Sequence, residues 1–295
     1  MYRSAFYGMI VFILYSCSFN KTFHKPTKTD PFEELTYFEK DGDTTFIEYI
    51  ETNQEIILRD NNLKVINHDY FIQNHSFLTT GGNRLNGWLL IPKNISPKAT
   101  ILHFHGSAGN LITHYQSISR LTEHGFQVFM FDYSGYGSSE GESSHNTIIE
   151  DGYSAIEYLN TQDQFRDLKT IIYGQSYGGY LAAIVGSNRQ ESIDGIVIEG
   201  AFSSLKEEAR HKASVFGNFV KSGKQADEEI KNNHKPVLII HSIEDSMVPI
   251  KLGKKIYVNA NYPKEFYEID GEHNSGLLNY SKEIANKIHK MIMGD

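Results

Sequence analysis

One serine lies between glycines in a pattern that is typical of a catalytic nucleophile. The sequence GQSYG at residues 174–178 follows the apolar run 170–173 and opens a segment with helical composition. A G-x-S-x-G pattern in this context predicts a tight strand-to-helix turn that lifts the Ser176 hydroxyl above a sheet. A Cβ at Gly174 or Gly178 would crowd the adjoining strand and helix. Ser176 is therefore the predicted nucleophile for attack on an acyl carbonyl, and the alternative is a glycine-rich turn with a capping serine.

Such a serine needs a base, and the base needs an orienting carboxylate. Asp245 and His273 each follow a later apolar run of the chain. The order Ser176, Asp245, His273 is the one expected for a nucleophile elbow on an α/β sheet. Glu244 is adjacent to Asp245 and remains an alternative for the acid.

A further glycine predicts an oxyanion hole. The sequence HFHGSAGN occupies residues 103–110, at the end of another apolar run. Gly106 lets the chain bend so that the backbone N–H of Ser107 joins that of Tyr177 on an oxyanion, and one such donor typically contributes about 2.7–4 kcal/mol. His105 is interpreted as a residue that holds this loop by hydrogen bonds, not as a proton carrier.

Alternating strand and helix patterns surround these motifs. Strands are predicted at residues 87–91, 99–104, 127–131, 170–173, 195–198, 237–240 and 265–269. Most of them have no polar alternation, so both of their faces are expected to be buried. Helices are predicted at residues 114–124, 146–160, 177–187, 250–259 and 281–293. This alternation predicts an α/β fold with a mainly parallel sheet and helices on both faces. Residues 74–80 and 84–91 flank a Gly-Gly-Asn turn and predict an antiparallel hairpin at the N-terminal edge.

One stretch departs from the alternation. Residues 201–233 are polar and helix-prone and lie between two predicted strands. They are interpreted as a small cap insertion in a folded domain that covers residues 32–295. A long surface connection without a role in substrate choice is the alternative.

The first residues are typical of an export signal. Arg3 precedes an uncharged apolar stretch at residues 5–15, which is short for a membrane span of about 20 apolar residues. Residues 14–17, Leu-Tyr-Ser-Cys, resemble the lipobox of bacterial lipoprotein signals, in which the cysteine carries the lipid. An ordinary signal or a signal anchor is the alternative.

The lipoprotein interpretation defines three regions and a location. Residues 1–16 form the signal peptide, Cys17 is the site of lipid attachment, and the polar residues 17–31 form a tether. The mature protein is then expected in a bacterial cell envelope, associated with a membrane through its N-terminal lipid.

Composition limits the classes of protein and partner. The chain has 295 residues, of which 40% are hydrophobic and 22% charged, and this balance excludes disordered and fibrous proteins. The net charge of −8 argues against a nucleic-acid partner. The single cysteine excludes an intrachain disulfide and a zinc site built from several thiolates. The oligomeric state is not indicated.

The motifs together resemble one superfamily. The 105–110 loop, the sequence FDYSGYGS at residues 131–138, the elbow at Ser176 and the two later loops look like the α/β-hydrolase fold. Within that superfamily they are similar to BEM46-type and ABHD13/ABHD17-type serine hydrolases, over roughly residues 74 to 293. Relatives commonly have Arg where Ser134 stands and Gly where Ser242 stands, and neither position belongs to the predicted triad.

The resemblance implies cleavage of an ester or thioester. The predicted Ser-His-Asp mechanism requires no metal or organic cofactor, and the expected substrate is a small or lipid-like acyl ester. Three alternatives remain. A serine aminopeptidase of similar fold would need a carboxylate to bind the substrate's amine, for which Glu199 and Glu207 are candidates. A dipeptidyl peptidase is disfavoured because the residues before the hairpin are too few for a propeller domain. A non-catalytic binding protein would not need all the reactive groups.

Overall fold

The structure is a computed structural model that describes residues 24–29, 35–40, 43–212 and 223–293. The predicted signal peptide and Cys17 lie outside these ranges, so both stay predictions. Within the described ranges, no helix combines the length and apolar character needed to cross a membrane.

Two kinds of strand pairing build the central sheet. The strands are β1 (Lys25–Pro26), β2 (Leu35–Lys40), β3 (Asp43–Ile50), β4 (Glu55–Arg59), β5 (Tyr70–Leu78), β6 (Arg84–Pro92), β7 (Ala99–Phe104), β8 (Ala108–Gly109), β9 (Phe126–Phe131), β10 (Lys169–Gln175), β11 (Gly195–Glu199), β12 (Val237–Ser242) and β13 (Lys264–Ile269). In the described chain, the spatial order of the large sheet is β13-β12-β11-β10-β7-β9-β6-β5-β4-β3-β2. Each neighbouring pair from β13–β12 to β7–β9 in this order is parallel. Each pair from β9–β6 to β3–β2 is antiparallel. The predicted α/β-hydrolase fold is thereby confirmed.

The predicted N-terminal hairpin is formed by β5 and β6, and β6 pairs antiparallel with β9. Strands β2–β4 continue the sheet beyond this hairpin, an extension that the sequence interpretation did not include. In β4 buried residues alternate with half-buried ones, which is the pattern of a strand with one covered face.

Helices cover both faces of the sheet. They are α1 (Leu111–Ile118), α2 (His145–Thr161), α3 (Asp163–Arg166), α4 (Tyr177–Asn188), α5 (Leu205–Lys212), α6 (Ala226–Glu229), α7 (Ile250–Asn259) and α8 (Gly276–Met293). One buried cluster joins the sheet to α2, α4 and α7, and a second joins it to α1 and α8. Ile171 and Ile172 belong to different clusters because successive strand residues point to opposite faces.

The segment at residues 201–233 connects β11 to β12 and contains α5 and α6. It packs on the start of α4, where Phe202 stacks on Tyr180 with ring centroids 4.8 Å apart. The Tyr180 hydroxyl also donates to the Lys224 carbonyl at 2.6 Å. Residues 213–222 lie outside the described residues, so a gating role of this segment stays a prediction.

Residues 24–29, part of the predicted tether, lie against the folded domain. Here β1 pairs in parallel with β8, in the loop that follows β7. The polar composition did not predict this contact because pairing through backbone groups leaves no pattern of apolar side chains. Residues 17–23 and 30–31 of the predicted tether lie outside the described residues.

Candidate active site

Ser176 occupies a strained turn between β10 and α4. Its backbone has φ 56° and ψ −118°, a conformation that is unfavourable for a residue with a Cβ and is characteristic of functional sites. Two backbone hydrogen bonds hold it: its N–H donates to the Glu199 carbonyl at 2.8 Å, and its carbonyl accepts from the Tyr180 N–H at 3.1 Å. Ser176 is partly exposed, so its hydroxyl is accessible at the end of the strand.

The glycines around Ser176 allow the chain to approach itself closely. A Cβ on Gly174 would lie 2.1 Å from the Gly178 carbonyl oxygen. A Cβ on Gly178 would lie 1.9 Å from the Phe104 carbonyl oxygen, in β7. Both distances are shorter than any real contact, so the predicted crowding of strand and helix is confirmed.

Asp245 is buried beside the ring of His273. His273 Nδ1 lies 2.7 Å from Asp245 Oδ2. The other oxygen, Oδ1, accepts from the N–H groups of Met247 and Val248 at 2.9 and 2.8 Å. Burial by itself would raise the pKa of Asp245, but the hydrogen bonds from His273 and Val248 hold that pKa below its usual range. Asp245 is therefore suited to orient an imidazole and to stabilise its charged form.

Glu244 has a different position. Its side chain is exposed, and Oε2 accepts from the Gly271 N–H at 3.0 Å. It thus contacts the backbone of the loop that carries His273, whereas Asp245 contacts the ring.

Ser176 and His273 both lie against the end of β11. The Ser176 N–H bonds to the Glu199 carbonyl, and a Cβ on Gly200 would lie 3.2 Å from His273 Cε1. Among the described residues, no hydrogen bond joins the Ser176 hydroxyl to the His273 ring. Catalytic hydrogen bonds are often long in free enzymes and shorten when substrate binds.

The loop after β7 approaches the elbow. A Cβ on Gly106 would lie 4.0 Å from Ser176 Cβ. In the described chain, neither the Ser107 N–H nor the Tyr177 N–H donates a hydrogen bond, which leaves both available to an oxyanion. Tyr177 is also the first residue of α4, where the helix dipole favours negative charge.

Side chains beneath this loop hold its shape. The Tyr136 hydroxyl donates to the Ser107 carbonyl at 2.8 Å, and the Tyr133 hydroxyl donates to the His105 carbonyl at 2.9 Å. His105 is buried, and its Nδ1 lies 2.8 Å from the Gly106 carbonyl. Burial lowers the pKa of His105 well below its ordinary value. The contact with Gly106 fits the interpretation that His105 holds the loop.

Asp132 supports the same loop and was not identified from the sequence. Its Oδ1 accepts from the Leu111 N–H, the first residue of α1, at 2.7 Å. Burial raises the pKa of Asp132 to about 7, although the Leu111 N–H and the Asn86 side chain oppose that rise. The sequence feature that could have identified Asp132 is a carboxylate directly after a predicted buried strand.

Glu199 is a second buried carboxylate with a supporting position. Oε2 accepts from the Tyr173 hydroxyl and from Gln175 Nε2, both at 2.8 Å, and Oε1 accepts from the Gly276 N–H at 2.8 Å. Burial raises the pKa of Glu199, and these hydrogen bonds act against that rise. Glu199 therefore connects the nucleophile strand to the helix that follows His273. In the described ranges, no group of three His, Cys, Asp or Glu side chains is arranged to hold a metal ion.

Comparison with known proteins identifies the family. A sequence profile described as “Serine aminopeptidase, S33” matches residues 95–214. The chain is 34% identical over 213 residues to YfhR of Salmonella typhi, which covers 67% of this chain and 73% of that protein. It is 30% identical over 174 residues to the bem46 protein of Schizosaccharomyces pombe, covering 56% of this chain and 58% of that protein. The chain belongs to the BEM46-like α/β hydrolases.

The fold of this hydrolase also resembles that of esterase Pf2001 from Pyrococcus furiosus. The TM-score is 0.65 at 16% identity, and the match covers 76% of this chain and 91% of the esterase. The family profile includes Ser176 but ends before Asp245 and His273. The assignment of those two residues in this hydrolase therefore depends on geometry.

Proposed function

We propose that the protein is a serine hydrolase that cleaves carboxylic ester or thioester bonds through an acyl-enzyme. The observation that most supports this proposal is the 2.7 Å contact between His273 Nδ1 and the buried Asp245. It lies at the same end of the sheet as the strained Ser176 turn. A nucleophile, a base and an orienting acid on separate strand ends form the arrangement that acyl transfer requires.

The proposed reaction has two stages. Ser176 Oγ attacks the acyl carbonyl carbon while His273 Nε2 takes the hydroxyl proton, and the N–H groups of Ser107 and Tyr177 bind the oxyanion. His273 then protonates the leaving alcohol or thiol as the acyl-enzyme forms. Water then attacks the acyl carbonyl carbon while His273 takes its proton, and His273 passes that proton to Ser176 Oγ as the bond to the acyl group breaks and the carboxylic acid leaves. Asp245 holds the imidazole with its Nδ1 protonated throughout.

Two carboxylates were candidates for binding the amine of an aminopeptidase substrate, and both have other partners. Glu199 is 1% exposed and accepts the three hydrogen bonds described above. Glu207 accepts from the Ser203 hydroxyl and pairs with Lys255 at 2.9 Å. Glu199 is thus used within the fold, and the charge of Glu207 is already paired with that of Lys255, so their surroundings support an ester or thioester over an N-terminal peptide bond.

Ser176→Ala tests the nucleophile. We expect it to abolish turnover of short-chain nitrophenyl esters and labelling by a fluorophosphonate, because both reactions need the Ser176 hydroxyl. Ser187→Ala is the matched control: Ser187 is also on α4, and within the described part of the chain its hydroxyl bonds only to the Ala183 carbonyl. Labelling that survives in Ser176→Ala would mean that another residue is the nucleophile.

The choice between bond types needs a second comparison, in which the wild-type protein is offered nitrophenyl esters and aminoacyl anilides. We expect a higher kcat/KM for the esters. Faster turnover of the anilides would support an aminopeptidase instead. A protein that neither turns over these substrates nor is labelled would be a binding protein.

We also propose that Cys17 carries a lipid and holds the enzyme at a bacterial envelope membrane. The support is the sequence pattern at residues 14–17. Seven residues lead from Cys17 to His24, and an extended chain of that length spans at most about 25 Å. His24 contacts Tyr177, so the proposed anchor would keep the site near the membrane surface and near acyl chains in it.

A further inference from the structure

The segment at residues 24–29, which we call the N-terminal strap, is bonded to the loop that carries Ser107. The Lys25 N–H donates to the Ser107 carbonyl at 2.9 Å, and the Thr27 N–H donates to the Gly109 carbonyl at 3.0 Å. The Ser107 carbonyl therefore has two donors, the strap and the Tyr136 hydroxyl at 2.8 Å.

The other side of the strap is bonded to the loop after β9. The Gly137 N–H donates to the Thr27 carbonyl at 2.9 Å, and the Thr29 N–H donates to the Gly137 carbonyl at 3.1 Å. Lys28 Nζ adds a bond to the Ser139 carbonyl at 2.8 Å. The strap thus lies between two loops at the carboxyl end of the sheet and bonds to both.

The first residue of the strap contacts Tyr177. His24 is 6% exposed, and its Nε2 lies 3.0 Å from the Tyr177 hydroxyl, with the two rings edge to face at 5.2 Å. His145 Nδ1 lies 3.2 Å from the same hydroxyl. Because a hydroxyl has one proton, it donates to one of these rings and accepts from the other. The Tyr177 side chain is therefore restrained from two directions.

We propose that the N-terminal strap is a positioning element of the active site, which holds Ser107 and Tyr177 so that their N–H groups converge on the oxyanion. This inference rests on the proposed acyl-transfer function. It assigns His24 and Lys25 a role although both precede the residues matched by the family profile, which begin at residue 95.

The physical reason is that an oxyanion hole tolerates little displacement of its hydrogen-bond donors. Its donors act only when they lie about 2.7–3.1 Å from the charged oxygen, so a small displacement of either backbone weakens them. The strap bonds to each of the two residues and makes no hydrogen bond to Ser176, Asp245 or His273 among the described contacts. Loss of a strap contact should therefore destabilise the transition state more than the bound substrate.

The test uses two variants of the full chain. His24→Phe keeps a buried ring but removes the hydrogen bond to Tyr177, and Lys25→Pro removes the N–H that bonds to Ser107. We expect each to lower kcat for a nitrophenyl ester at least about tenfold while KM changes by less than about twofold. The fluorophosphonate labelling rate should fall in parallel, because the phosphonyl oxygen uses the same donors.

A matched control separates this role from ordinary packing. His75 on β5 makes the same kind of contact, with Nδ1 2.7 Å from the Tyr158 hydroxyl. His75→Phe should leave kcat and the labelling rate within about twofold of wild type, whatever its effect on Tm. In addition, His24→Gln keeps a polar group near Tyr177 and should recover most of the kcat that His24→Phe loses.

Three results would overturn the proposal: strap variants with unchanged kcat and labelling rate, a loss confined to KM, or an equal loss in His75→Phe. Other results would show that the proposed function, and not the role of the strap, is wrong. If wild type is labelled but hydrolyses no ester, the substrate class is wrong, and the labelling rates of the variants still decide the role of the strap. A wild-type protein that is not labelled contradicts both proposals.

Discussion

Asp245 and Glu244 are neighbours in the chain with opposite surroundings. The Asp245 carboxylate is 1% exposed and receives hydrogen bonds from two backbone N–H groups and a pairing contact with His273. The Glu244 side chain is exposed to solvent. The attraction between opposite charges is stronger where water is excluded, so the surroundings of Asp245 suit the proposed orienting acid better than those of Glu244. His241, buried beside it with Nε2 3.5 Å from Asp245 Oδ2, completes the surroundings of this carboxylate.

At the scale of elements, the site depends on loops that buried side chains connect. Asp132 follows β9 and bonds to the first N–H of α1, so it joins two strand-to-helix connections. Glu199 likewise joins β10 to α8, because its carboxylate accepts hydrogen bonds from Gln175 Nε2 and from the Gly276 N–H. Helix N-termini have unsatisfied N–H groups, and a buried carboxylate satisfies them while fixing the position of the helix.

Asp132→Asn tests this connection through stability. Burial raises the pKa of Asp132 to about 7, above its value of about 3.9 in an unfolded chain. The folded state thus retains a proton that the unfolded state releases, and the contribution of Asp132 to stability is full below about pH 4 and lost as pH rises through about 7. Asparagine keeps the acceptor for Leu111 and cannot ionise.

The measurement is Tm of both proteins between pH 4 and pH 8. We expect the wild type to lose stability relative to Asp132→Asn as pH rises across this window. Parallel Tm curves would show that Asp132 does not titrate on folding.

At the scale of the whole molecule, parallel strands bring distant parts of the chain to one edge. Ser176, Asp245 and His273 follow β10, β12 and β13, and the carboxyl ends of parallel strands lie together. The antiparallel strands β2–β4 extend the opposite side of the sheet, away from these strand ends in the strand order. The N-terminal strap pairs with β8 at this same edge of the sheet.

Cys17→Ala tests the proposed anchor. If Cys17 carries a lipid, the variant should move from the membrane fraction to the supernatant after cell lysis, with its specific activity in detergent unchanged. Fractionation with an antibody against the protein provides the measurement. A variant that still sediments with membranes would contradict lipid attachment at Cys17.

Local chemistry determined which residues could act. The glycines at 174 and 178, the serine between them and the order of acid and base follow from steric limits and strand alternation, so they were readable in the sequence. The parallel strands β7, β9, β10, β11 and β12 were also predictable, because strands that are buried on both faces have continuous apolar composition.

Only the tertiary structure decided which polar groups support those residues. Nothing local distinguishes His24 from the other histidines, or Glu199 from a solvated carboxylate, because their roles come from contacts with residues far away in the chain. His24 meets Tyr177 across 153 positions, and Glu199 meets Gly276 across 77. Burial and partner choice at such separations depend on how the sheet and its loops close in space, which no short stretch of sequence contains.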